Sequence, residues 1–159
     1  MQQKEMARWL KLVTLLAGAA GVSAVCFLIP ALLDRLIPDD SCAAILWLPL
    51  VGFCWLTALP CFACLWQFWG ICTRIGQNRS FCPENAAALK RISQLLFLDC
   101  ALYLGFGAAA AILRTLTPGR VLLLVTILLV GVTLTGLSAA LSHLIWKASE
   151  LQQDADLTI

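Results

Sequence analysis

Charged residues fall along this chain in short clusters, and between the clusters lie four long runs in which nearly every position is apolar. A helix needs about 20 mostly apolar residues, each rising about 1.5 Å, to cross about 30 Å of hydrocarbon. Four stretches meet that requirement: 12–33, 44–73, 92–113 and 121–145. The second lies inside Cys42–Thr73, which carries no charge and is longer than a perpendicular span needs. It is expected to tilt, to bend at Pro49 or Pro60, or to overshoot one surface. The third run holds one acid, Asp99, and the fourth holds His143 near its end. The connections at 34–41, 74–91 and 114–120 are too short for a soluble domain. The pattern therefore predicts one domain over 1–159: an all-α integral membrane protein, a bundle of four transmembrane helices.

Composition agrees with the pattern. Of 159 residues, 61% are hydrophobic and 13% charged, against about 25% charged in soluble domains. The first run has a basic start and a Val22-Ser23-Ala24 stretch that resembles a signal-peptidase site. It continues to Leu33, which is long for a signal core, so a retained span is expected. A lipoprotein reading of Cys26 fails because Val25 occupies a position that requires a small residue.

Charge then sets orientation. With four spans, the N-terminus, the 74–91 loop and the 147–159 tail share one side, which collects Lys4, Arg8, Lys11, Arg74, Arg79, Lys90, Arg91 and Lys147. The other side has Arg35, Arg114 and Arg120. Eight basic residues against three place both termini in the cytoplasm by the positive-inside rule. Trp9, Trp66, Trp69 and Trp146 fall near the inner boundary and Trp47 near the outer one, at the depth indole rings favour.

The middle connection contains "RSFCPENAAALKR", Arg79 to Arg91. Cys82 sits in the cap position, Pro83 fits the first helical turn because its missing N–H would have no partner there, and Glu84 puts negative charge at the positive helix end. Phe81 and Ala86 are placed to form a small hydrophobic staple. A helix start combined with an orientation signal accounts for the stretch, and a basic surface that docks anionic lipid or a cytosolic protein is the functional alternative.

"SFCPENAAALKRIS", Ser80 to Ser93, together with the final "DLTI", Asp156 to Ile159, resembles a bacterial family of four-span membrane proteins known as domain of unknown function 2975. Phe81, Glu84, Asn85, Leu89, Arg91 and Ile92 match the family's loop pattern, and Asp156, Leu157, Thr158 and Ile159 match its acidic tail. Cys82 departs from it, since the family pattern has Ser or Thr there, and a thiol is a poorer cap. The resemblance implies a protein of the bacterial plasma membrane, often encoded beside a small helix-turn-helix transcriptional regulator. It suggests a cytosolic DNA-binding protein as partner, with no nucleic acid bound directly by this chain. The docking candidates are Phe81, Glu84, Asn85, Lys90 and Arg91 in the loop and Asp156, Leu157, Thr158 and Ile159 in the tail.

Eight cysteines raise a redox alternative. Cys61 and Cys64, in "PCFAC", have dithiol spacing, and four-span thiol oxidoreductases exist. Their position argues against it: Cys61 lies 19 residues, about 30 Å of helix, from the outer end at Cys42. Packing as small apolar side chains is the stronger reading, and the scatter of cysteines fits no metal template.

Polar groups inside the bilayer carry more information, because each is costly unless paired. Counting from the nearest basic residue, Asp99, His143 and Gln67 all fall about 6–12 Å below the inner surface, and Tyr103 lies one turn from Asp99 on the same face. These four are expected to share one polar layer, as an interhelical hydrogen-bond cluster or as a ligand or proton-sensing site. Small residues one turn apart, Ala17 with Gly21, Gly107 with Ala111 and Gly136 with Ala140, mark close helix approach within the bundle or in a homo-oligomer.

The sequence shows no catalytic constellation, metal site or cofactor motif. Functional expectation is ordered accordingly: a non-enzymatic regulatory or sensory membrane partner first, then a small permease or immunity-type protein using Asp99, then a thiol oxidoreductase using Cys61 and Cys64.

Overall fold

The computed structural model describes residues 2–28, 30–31, 41–77, 79–114 and 117–156, with the side chains of 2–4, 28, 41–48 and 154–156 outside that description. All regular structure in the described residues is helical: α1 (Gln2–Ser23), continued by a π-helical turn over Ala24–Leu28, then α2 (Ser41–Gly76), α3 (Pro83–Ile112) and α4 (Pro118–Asp156). All four are long and apolar enough to cross a membrane.

The helices overshoot the apolar runs that specify them. α2 has 36 residues, passes unbroken through Pro49 and Pro60, and ends on Arg74 in its last turn. At about 1.5 Å per residue the 39 residues of α4 span about 58 Å, well beyond a hydrocarbon core. The helix start expected at Pro83 is present: α3 begins there, nine residues before its apolar run, so the second half of the 74–91 connection is helical. One reading is refined. The tail read as a separate segment from 147 continues α4 as helix to Asp156. α3 stops at Leu113, whose N–H bonds the Ala109 carbonyl, and Arg114 then takes φ 55, the left-handed conformation usual just past a helix end.

Packing follows chain order. α1 lies on α2, α2 on α3 and α3 on α4, and among the described residues no other pair of helix backbones comes close. The expected bundle is thus an open row with α1 and α4 at its edges. Small residues set each seam. Ala7 is buried against Gly76, and Gly18 and Gly21 receive Leu65 and Phe62. Across α3 and α4 a methyl on Gly107 would strike Leu124, and one on Gly131 would lie 2.5 Å from the Cys100 sulfur. Between α2 and α3, Ile71, Ala88 and Ile92 form the buried core, flanked by Phe68, Leu89 and Leu96. Gly136 has nothing near it, so the Gly136 and Ala140 pair lies off the intramolecular seams.

Most large apolar side chains point outward, with Trp66 81% and Ile112 82% exposed. In water such a surface would aggregate; against acyl chains it is the solvated face. Contacts at both ends of the row bring the start of α1, the α2–α3 turn and the end of α4 to one end of the molecule, called here the basic end.

Candidate functional site

Asn85 organises the basic end. It is 0% exposed, at the third position of α3. Its amide nitrogen donates to the carbonyls of Arg79 (3.2 Å) and Ser80 (3.0 Å), and its amide oxygen accepts from Arg74 Nη1 at 3.3 Å. One side chain therefore joins the last turn of α2, the turn and the first turn of α3. The backbone tightens the same knot, since the N–H groups of Gln77 and Arg79 both donate to the Arg74 carbonyl (3.1 and 3.0 Å). Asn85 was a docking candidate; full burial removes it from any docking surface and makes it the latch of the turn.

Cys82 is the cap residue in extended conformation, φ −124 and ψ 149, and its thiol makes no cap hydrogen bond. Its carbonyl accepts from the N–H groups of Asn85 (3.0 Å) and Ala86 (3.4 Å). Glu84, ahead of the apolar run that begins at Ile92, is held below the usual carboxylate range by its own backbone N–H, the Cys82 thiol and the nearby Arg79 and Arg74 guanidiniums. It also faces Arg79 Nη2 at 3.7 Å in an ion pair open to solvent. Phe81 is 60% exposed while Ala86 is buried. The Ala86 carbonyl accepts the Ser142 hydroxyl of α4 at 2.7 Å, which pins α4 to the start of α3.

Beyond Ser142, α4 runs alongside the turn and leaves a groove of about 570 Å³ between them. Residues 79–83 form one wall; Trp146, Ser149, Glu150, Gln152 and Gln153 form the other. The Trp146 indole N–H donates to Glu150 Oε1 at 3.1 Å. Lys90 and Arg91 are exposed on α3 near this end. Leu157, Thr158 and Ile159 lie outside the described residues, as does the side chain of Asp156.

Asp99 lies deeper, half-buried between α2 and α3. The Cys61 thiol donates to its Oδ2 at 3.9 Å, whereas Oδ1 is buried with no hydrogen-bond partner. Tyr103, one turn on, packs edge-to-face on Phe53 (5.3 Å, 90°), and Phe53 stacks on Phe106 (4.1 Å, 18°). The Cys64 thiol donates to the Ile92 carbonyl at 3.9 Å, so both thiols of the Cys61 and Cys64 pair engage α3.

The expected polar layer of Asp99, Tyr103, Gln67 and His143 does not assemble. His143 adjoins Ser142, which is level with Ala86, and 13 residues of α3 separate Ala86 from Asp99, about 20 Å. Gln67 lies six residues from Cys61 toward the basic end, about 9 Å from the Asp99 level. Depth counted from the nearest charge failed because the charges are not level: with Ser142 opposite Ala86, Lys147 stands ten residues, about 15 Å, outside Arg91. Sequence reasoning missed the Asn85 latch and the Ser142 bond. A signal for the first existed: a side chain at the third helical position often reaches back over the helix start. A lone serine in an apolar run gives no such direction.

Residues 33–159 match the family model described as protein of unknown function (DUF2975). This chain belongs to that family. No curated protein and no solved structure matches it.

Proposed function

We propose that this DUF2975 protein is a non-enzymatic regulatory or sensory membrane partner of a cytosolic helix-turn-helix transcriptional regulator, with its basic end in the cytoplasm of a bacterial plasma membrane. The observation that carries the reading is the basic end itself. The 79–83 turn and the end of α4, more than 60 residues apart in sequence, form one composite surface. Residues 80–83 of the turn belong to the first segment that resembles the family pattern, and the second, Asp156 to Ile159, follows the α4 wall in sequence. In this reading Phe81, Glu84, Lys90 and Arg91 are the exposed contacts of the turn and the start of α3, Asn85 positions them from beneath, and Asp156 to Ile159, which follow the second wall in sequence, supply the remaining contacts. Eight of the eleven basic residues on the same side favour the cytoplasmic orientation.

The test is a crosslinking pull-down from native membranes with tagged full-length chain and with a chain ending at Lys147. Capture of a DNA-binding protein by the full-length form alone is the expected result. If neither form retains such a protein, the reading is wrong. A second reading, a small permease or immunity-type protein, draws on the unpaired Asp99 Oδ1. It requires Asp99→Asn to abolish activity while the shortened chain keeps it.

A further inference from the structure

The groove at the basic end has a lining that matches neither a lipid-tail crevice nor an ordinary polar surface. Its inner end begins at Trp146, one residue past the apolar run that stops at Ile145, so it opens at headgroup depth. Two aromatic side chains flank it from opposite walls, Phe81 at 60% and Trp146 at 50% exposure. Aromatic rings in that position meet the glycerol and upper acyl region of a lipid. The charges are divided too. Arg79 stands on the turn wall, and Glu150 stands on the α4 wall.

We infer that the groove between the 79–83 turn and α4 seats the headgroup of a zwitterionic aminophospholipid. Its phosphate is taken by Arg79 with the Ser80 hydroxyl. Its ammonium is taken by Glu150 with the side-chain carbonyl of Gln153. Charge complementarity selects this class. An anionic headgroup without an amine would set its phosphate against Glu150 and leave that carboxylate unmatched, and a trimethylated amine has no N–H to donate. A groove volume of about 570 Å³ leaves room for a phosphodiester headgroup between the two rings. The bound lipid would bridge α4 to the turn beyond the Ser142 contact with Ala86. The inference is independent of the regulatory reading, since lipid retention is measured on the protein alone.

The experiment is native mass spectrometry of the purified full-length protein with an equimolar mixture of phosphatidylethanolamine, phosphatidylglycerol and phosphatidylcholine of identical acyl chains. One phosphatidylethanolamine should be retained about tenfold over the other two, the ratio that one charge-assisted contact supplies. Arg79→Gln should lower its retention about tenfold, and Glu150→Gln should erase the preference while leaving some lipid bound. Lys90→Gln, on the neighbouring helix surface, should change neither. Circular dichroism of each variant confirms that the helices persist. Equal retention of the three lipids, dominance of phosphatidylglycerol, or a preference that survives both groove substitutions overturns the inference. Equal retention is also the outcome expected if a protein segment fills the groove instead.

Discussion

The basic end and the level of Asp99 solve the same problem, holding helices in register, by opposite means. At the basic end, polar side chains bind backbone carbonyls: Asn85 takes those of Arg79 and Ser80, and Ser142 takes that of Ala86. Around Asp99 the seam relies on fit, with Gly131 opposite Cys100 and Gly107 opposite Leu124, and the one carboxylate there has a single thiol donor. Where the helical ladder ends, unpaired backbone groups need partners and reward a side chain that reaches them. Inside a helix surrounded by lipid the ladder is complete, so close contact of small residues is what remains.

Five substitutions test this contrast. The largest effect is expected at the latch. Asn85→Ala removes three hydrogen bonds, one from a guanidinium, and leaves two carbonyls unpaired, which should cost about 2–4 kcal/mol in detergent unfolding. A cost below about 0.5 kcal/mol would mean that the turn does not depend on Asn85. Next comes the fitted seam. Gly131→Ala drives a methyl against the Cys100 sulfur and should destabilise by about 1–3 kcal/mol. Gly136→Ala meets open space and should be neutral or slightly stabilising. Equal costs for the two would erase the distinction between seam and lipid face.

Ser142→Ala should cost less, about 0.6–1.5 kcal/mol, because the Ala86 carbonyl it leaves retains its helical partner. The last effect is a gain. Cys82→Ser supplies the hydroxyl cap that the thiol does not, and should raise stability by about 0.5–1 kcal/mol. A loss instead would show that burial of the Cys82 sulfur outweighs the missing cap.

Much of the site's outline was legible in the primary structure. The start of α3 was readable from Cys82, Pro83 and Glu84, because caps and proline act within one turn of their own position. The exposure of Lys90 and Arg91 also followed, since charge belongs at a membrane edge, whereas Phe81, read as a staple onto Ala86, is 60% exposed. The role of Asn85 was not, because a docking residue and a latch have the same identity and differ only in what lies within 3 Å. His143 and Asp99 were placed together by counting depth from charges, and the register of α3 against α4 separates them.

What the sequence determined by itself is the number of helices, their apolar extents and the collection of basic residues at one end. Those properties are sums over local stretches, and burial in lipid acts on each stretch independently. Tertiary structure decided the open row, the length by which α4 passes the turn, and the groove between them. These depend on relative register, which is fixed by contacts such as Ser142 on Ala86 and Cys100 on Gly131 between residues far apart in the chain. An apolar run specifies that a helix crosses; only its neighbour specifies how far past the surface it stands.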